Sequence, residues 1–164
     1  MSADDKRGDD KRGDDKPGAG KAGPDKLSIV VFSGDFDRVH YALVMAAAAV
    51  ASNTPVTLFF TMWAGRALER PLADGSPAWT RLKVSDGSLT AAEMDAGFKA
   101  KGVGTFDELL EACVALGVTV MVCEMGLKAL GMDPDGLRPD VPVAKGGVVT
   151  FLADASRTGA MLFV

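Results

Sequence analysis

The chain has 164 residues, 48% of them hydrophobic, and a formal net charge of -4. That describes one domain of ordinary size with ample core material, and an acidic balance that argues against nucleic acid as the main partner, since phosphate binding wants a concentrated basic surface. Two cysteines in this length do not make a secreted disulfide scaffold.

The chain opens on a short repeat. Asp4-Asp5-Lys6-Arg7-Gly8 recurs at 9–13 and again, with Pro17 for Arg, at 14–18. Gly, Ala, Pro and Lys follow to Lys26. No apolar side chains offset the entropy of ordering here, so residues 1–26 are expected to form a disordered charged tail. They also lack the apolar core of a secretory signal, so a cytoplasmic location is expected. The folded domain is expected over 27–164. Its longest apolar stretch, about 39–51, is interrupted by His40 and falls short of the roughly 20 residues of a membrane span.

From Leu27 the composition changes. Leu27 to Phe32 reads as a buried parallel strand. Ser33-Gly34-Asp35 makes a turn, and Asp35 is placed to cap a helix over about 36–52. That helix is apolar on most sides, more than one sheet face covers, so self-association is expected. Val56 to Thr61 is a second buried strand, and Met62 to Glu69 looks helical. Residues 71–104 are punctuated by glycine and proline, with a short helix expected only at about 90–101, where Thr90 and Glu93 form a capping-box pattern. An insertion of this kind is usually functional, disordered or an oligomer contact. Thr105 and Glu108 repeat the capping box, ahead of a helix that puts Phe106, Leu109, Leu110 and Cys113 on one face.

Val118 to Cys123 is the next apolar run, and Glu124 to Leu130 follows in a helical pattern. A thiol therefore sits at the carboxyl end of a buried strand beside a helix N-terminus, where α/β proteins gather ligands and where N–H groups favour thiolate. The bland alternative is a small buried hydrophobe, and the adjacent Glu124 opposes thiolate formation. Cys113 reads as core. A Cys113–Cys123 disulfide is geometrically poor, because the diverging strand and helix put the two Cα atoms on the order of 10 Å apart or more, against a bridging limit of roughly 7 Å. His40, the one histidine, would approach Cys123 if the Ser33–Asp35 loop shares the thiol's sheet edge. A packed helical histidine is the ordinary reading. One His and two Cys supply no evident metal set, and no cofactor is expected. Val141 to Ala144 reads as a connector, and Ala144-Lys145-Gly146-Gly147 carries a weak anion-binding signal. A helix over 147–156 should turn Val148, Phe151, Leu152 and Ala155 inward. Ala160 to Val164 should close the fold as a buried strand. Alternating strands and helices predict a three-layer α/β/α sandwich on a mainly parallel sheet of about five strands.

The opening Leu27 to Asp35, the segment Val56 to Trp63, the stretch Glu108 to Val118 and above all Val122-Cys123-Glu124-Met125-Gly126-Leu127 resemble the DsrE/DsrF-like sulfur-relay family, in its peroxiredoxin-like DsrE-type branch. The resemblance implies the same sandwich, assembly into trimers or hexamers, and a sulfur carrier or sulfurtransferase-like role in which Cys123 accepts persulfide sulfur. Donor and acceptor proteins would be its partners, and Ser33, Gly34, Asp35, Glu124, Met125 and Gly126 would line the site. A small hydroxyl residue is common in the family where Gly126 stands here. A carrier needs one accessible thiolate and no resolving cysteine. The alternative is a non-catalytic oligomeric protein of the same fold that binds a small ligand. A thiol peroxidase is disfavoured, since no Thr-x-x-Cys site is present.

Overall fold

The computed structural model describes residues 23–164. The repeats of the charged tail lie outside the described residues. Five strands form one all-parallel sheet: β1 (Leu27–Val31), β2 (Val56–Phe60), β3 (Thr119–Cys123), β4 (Val143–Gly146) and β5 (Ala160–Phe163), in the order β4-β3-β2-β1-β5. The helices are α1 (Phe36–Ala51), α2 (Ala91–Ala100), α3 (Phe106–Ala115), α4 (Glu124–Ala129) and α5 (Val148–Asp154), with 3-10 segments at Met62–Leu68 and Ala78–Arg81. This is the expected α/β architecture. Both capping boxes form: Thr90 with Glu93 and Thr105 with Glu108 each exchange side-chain and backbone bonds.

The two sheet faces are unequally covered. Ile29, Val31, Leu58, Phe60, Val120 and Val122 point to one face and share a core with α1 and α3. Val30, Phe59, Met121 and Cys123 point to the other, where Phe151 of α5 packs on them. Parallel registers such as Val30↔Phe59 and Phe59↔Met121 put these alternate residues side by side. The apolar girth of α1 is taken up largely by α3, which packs along it.

Three expectations are corrected. The supposed connector at 141–144 contains strand β4, a short edge strand whose Lys145 and Gly146 hide the usual apolar signal. Helix α5 buries only Phe151, while Val148, Leu152 and the 83%-exposed Val149 face outward. β5 is an edge strand, with Met161 and Phe163 open on the α5 face. The last two share a reason: seven residues of helix cannot roof five strands, so among the described residues Met161 and Phe163 of β5 stay exposed on that face.

The domain's contacts begin ahead of Leu27. The Asp25 carboxylate accepts hydrogen bonds from Ser156 and Thr158. Lys26 pairs with Asp154 at 2.7 Å, and Asp154 also accepts from the buried Thr57 hydroxyl at 2.6 Å. Burial pushes the Asp154 carboxyl up, but the bonds from Lys26 and Thr57 outweigh it and hold it below its ordinary value. A carboxyl depressed in the fold stabilises above its unfolded pKa, and that contribution is lost as pH falls through the folded one. Asp154→Ala should cost about 1–3 kcal/mol, the range for a buried hydroxyl left without its partner. In urea titrations from about pH 7 to about pH 3, the gap between wild type and variant should narrow as Asp154 protonates; a gap independent of pH would contradict this.

Candidate functional site

Cys123 ends β3 and is the N-cap residue of α4. Its backbone is extended there, and its Sγ accepts a hydrogen bond from the Gly126 N–H at 3.4 Å. A sulfur at an N-cap does what a serine oxygen ordinarily does, receiving one of the unpaired donors of the first turn. The side chain is 3% exposed and lies against Phe59, Met121 and Phe151. The Phe59 and Phe151 rings are stacked, with centroids 4.6 Å apart. The thiol thus sits at the carboxyl edge, as expected, but beneath α5 rather than open to solvent.

Gly126 is fixed by a close approach. A Cβ there would lie 2.7 Å from the Met62 backbone nitrogen and 2.9 Å from the Thr61 hydroxyl. Met62 itself has φ of +48°, a left-handed conformation uncommon outside glycine. The chain leaving β2 therefore presses on the first turn of α4, and no residue with a side chain fits at 126 without backbone movement.

The other expected site residues divide. Ser33, Gly34 and Asp35 follow β1 at the same edge. Asp35 is the N-cap residue of α1 by position but makes no cap bond; its carboxylate accepts from Ser33 Oγ at 3.1 Å and faces Arg38 at 3.5 Å. Glu124 and Met125 are exposed on the outer side of α4. His40 is not a neighbour of the thiol. It is buried in the α1 layer, its Nε2 2.8 Å from the Gly104 carbonyl and its ring 4.4 Å from that of Phe98. The sheet lies between His40 and Cys123. Cys113 is fully buried on the α1 side with its Sγ 3.7 Å from the Leu43 carbonyl, and burial pushes its pKa up to about 11. Both cysteines are free.

A cavity of about 400 Å³ opens at the same edge, between Gly34 and Asp35 after β1, Trp63 and Arg66 after β2, and Arg81 to Lys83 from the insertion. Gly34 and Asp35 are two of the residues expected at a site, but sequence reading missed the rest of the cavity, because its cations are scattered over 66–83.

These features meet a family. A model of the DsrE/DsrF/DrsH-like family matches residues 74–163. The chain belongs to that family. It is 27% identical over 156 residues to the uncharacterized protein YrkE of Bacillus subtilis, covering 85% of this chain and 96% of that one. It is 25% identical over 158 residues to the sulfur carrier protein DsrE2 of Allochromatium vinosum, covering 85% and 98%. The crystal structure of the YchN protein from E. coli shares the fold, with a TM-score of 0.50 at 17% identity over 84% of this chain and 97% of that one. Among the described residues, no helix is long and apolar enough to cross a membrane.

Two outcomes follow from the geometry. Gly126→Ala should destabilise the protein by about 1–3 kcal/mol, the usual cost of overpacking, seen as a lower urea midpoint; an unchanged midpoint would mean that the Met62 backbone yields freely. Phe151→Ala should uncover Cys123 and raise its native-state alkylation rate roughly tenfold or more, because access and thiolate fraction set that rate. Cys113 serves as the internal control for global opening. Equal acceleration of both thiols would show that Phe151 is not a local cover.

Proposed function

We propose that the protein is a sulfur carrier that accepts persulfide sulfur on Cys123. The observation that carries this reading is the Cys123 Sγ at the β3–α4 junction, receiving the Gly126 N–H. The same donor would serve a thiolate or the terminal sulfur of a persulfide, since both are anionic acceptors. Membership of the DsrE/DsrF/DrsH-like family and the relative named as a sulfur carrier support the same role. Cys113 is a poor competitor, with its raised pKa and its place in the opposite core layer.

The transfer balances without an external oxidant. The Cys123 thiolate attacks the outer sulfur of a donor persulfide, R–S–SH. A new S–S bond forms to Cys123, the donor S–S bond breaks, and R–S⁻ leaves with the bonding pair. The outer sulfur keeps its proton, giving Cys123–S–SH. An acceptor thiolate later attacks that same sulfur and releases the Cys123 thiolate. Each step needs α5 to lift or tilt off the sulfur, so Phe151 would act as the cover that limits loss of sulfur to stray thiols. Sulfur donor and acceptor proteins are the partners this chemistry requires.

Self-association belongs to the same reading. Phe32 and Phe163 pack together at 5.4 Å, and Phe163 is 71% exposed on the α5 face. This pair, and separately the 83%-exposed Val149 of α5, offer apolar surface of the kind subunits bury. Wild type should sediment as a trimer or hexamer and Phe163→Asp as a smaller species; a wild-type monomer independent of concentration would refute the assembly.

Whole-protein mass spectrometry tests the carrier. A persulfide donor should add about 32 Da per sulfur, the mass of one sulfur atom in a persulfide. Cys123→Ser should lose the adduct with its fold intact, and Cys113→Ser should keep it. Loading that survives in Cys123→Ser but not in Cys113→Ser would reverse the assignment, and no loading of the wild type would sink the carrier reading.

A further inference from the structure

The insertion at 71–104 contributes nothing to the thiol's immediate surroundings, yet it is pinned to the carboxyl edge of β1. Phe36 donates its N–H to the Lys83 carbonyl at 2.6 Å, and Asp35 and Lys83 form an isolated parallel bridge. This anchoring turns Arg81, Leu82 and Lys83 into one wall of the 400 Å³ cavity. The opposite wall is Trp63, a residue 48% exposed. Gly34 forms the base, and a Cβ there would lie 2.9 Å from the Trp63 Cβ. The glycine is therefore what lets the tryptophan stand against the β1 loop.

The charge of this cleft runs against that of the chain. The protein carries a net -4, but three cations, Arg66, Arg81 and Lys83, line the space with one carboxylate, Asp35. Asp35 is already engaged by Ser33 and by Arg38, which does not line the cleft. Glu69 holds the Arg81 Nη2 at 2.6 Å and lies 3.9 Å from the Arg66 Nη1. One carboxylate shared by two guanidiniums fixes their positions without neutralising both. Arg66 is also held over the Trp63 ring, its guanidinium carbon 5.8 Å from the centroid. Among the described residues Lys83 has no carboxylate within ion-pair distance. The volume falls in the roughly 300–1,000 Å³ range of small-molecule sites, more than a bare oxyanion fills. The place is the carboxyl edge, where open parallel sheets bind ligands.

We propose that this cleft binds a small organic anion, with its negative group among Arg66, Arg81 and Lys83 and its flat apolar body against Trp63 and Leu82. The guanidiniums supply forked donors for a phosphate, sulfonate or carboxylate, and the indole supplies the apolar surface. The site is separate from the Cys123 sulfur, which lies beneath α5, and does not depend on sulfur loading.

Isothermal titration calorimetry of the full chain at constant ionic strength tests this, with phenyl phosphate, inorganic phosphate and benzyl alcohol as probes. Phenyl phosphate should bind saturably. Inorganic phosphate lacks the apolar body and benzyl alcohol lacks the charge, so each should bind about tenfold more weakly or not measurably. The double variant Arg81→Gln/Lys83→Gln changes two exposed side chains. It should weaken phenyl phosphate by about tenfold or more while melting close to wild type. Trp63→Ala should weaken phenyl phosphate and leave inorganic phosphate where it was. Absence of saturable heat with phenyl phosphate, or an affinity that the double variant leaves unchanged, would overturn the site. Inorganic phosphate or benzyl alcohol binding as tightly as phenyl phosphate would overturn the combined recognition.

Discussion

The segment Thr61-Met62-Trp63 leaves β2 and crosses the carboxyl edge of the sheet, and both neighbouring loops are shaped around it. On one side the Met62 backbone nitrogen occupies the space a Cβ of Gly126 would need. On the other, the Trp63 Cβ does the same to Gly34. Met62 holds a left-handed backbone between these contacts, a conformation that surrounding packing must enforce in a residue with a side chain. Two glycines, Gly126 in the first turn of α4 and Gly34 in the loop after β1, are each required by one strained segment and together set the edge. The first lets the turn of α4 close so that the Gly126 N–H reaches the Cys123 sulfur. The second lets the Trp63 indole form the wall of the cationic cleft. The thiol and the cleft are thus two sides of one constraint.

The uneven roofing of the sheet gives this edge its functional character. The α1–α3 face is a deep core in which Cys113 and His40 are immobilised, one with a raised pKa and the other bonded to a carbonyl. The α5 face rests on little more than the Phe59–Phe151 stack and the Thr57–Asp154–Lys26 contacts. Elements with few buried apolar contacts open at low free energy. A sulfur on the second face is sheltered by a cover that can open locally, which one in the first face's core would not be. The same thin cover leaves Phe163 and Val149 outward, so the layer that shelters the thiol also carries exposed apolar side chains on which subunits would pack.

Much of this was legible in the sequence, and the failures have physical reasons. β1, β2 and β3 announce themselves as short apolar runs because they are buried on both sides or nearly so. The capping boxes at Thr90 and Thr105 mark helix starts because the chemistry is local. Cys123 stands out because a strand ending in a thiol before a helix has a fixed place in a parallel sheet. β4 was hidden because an edge strand tolerates Lys145 and Gly146. The inward assignment of Val148 and Leu152 failed because periodicity shows which residues share a stripe, and not whether anything covers it. His40 was drawn toward the thiol by nearness to the β1 loop. A single turn of helix placed it on the far side of the sheet, a distinction that sequence spacing does not carry. Gly34 and Asp35 were expected at a site, but the cationic and aromatic walls of the cleft went unseen because they come from separate segments after β2 and in the insertion.

The central claim is that Cys123 is the sulfur-bearing atom of this fold. It is tested most directly by loading the native wild-type chain with a persulfide donor, blocking with iodoacetamide, and mapping the added sulfur by tandem mass spectrometry of the peptides. The account predicts the extra sulfur on the peptide that contains Cys123, with Cys113 recovered unmodified until the protein is unfolded. Sulfur found on Cys113 in the native protein, or none on Cys123 when the donor is in excess, would contradict it.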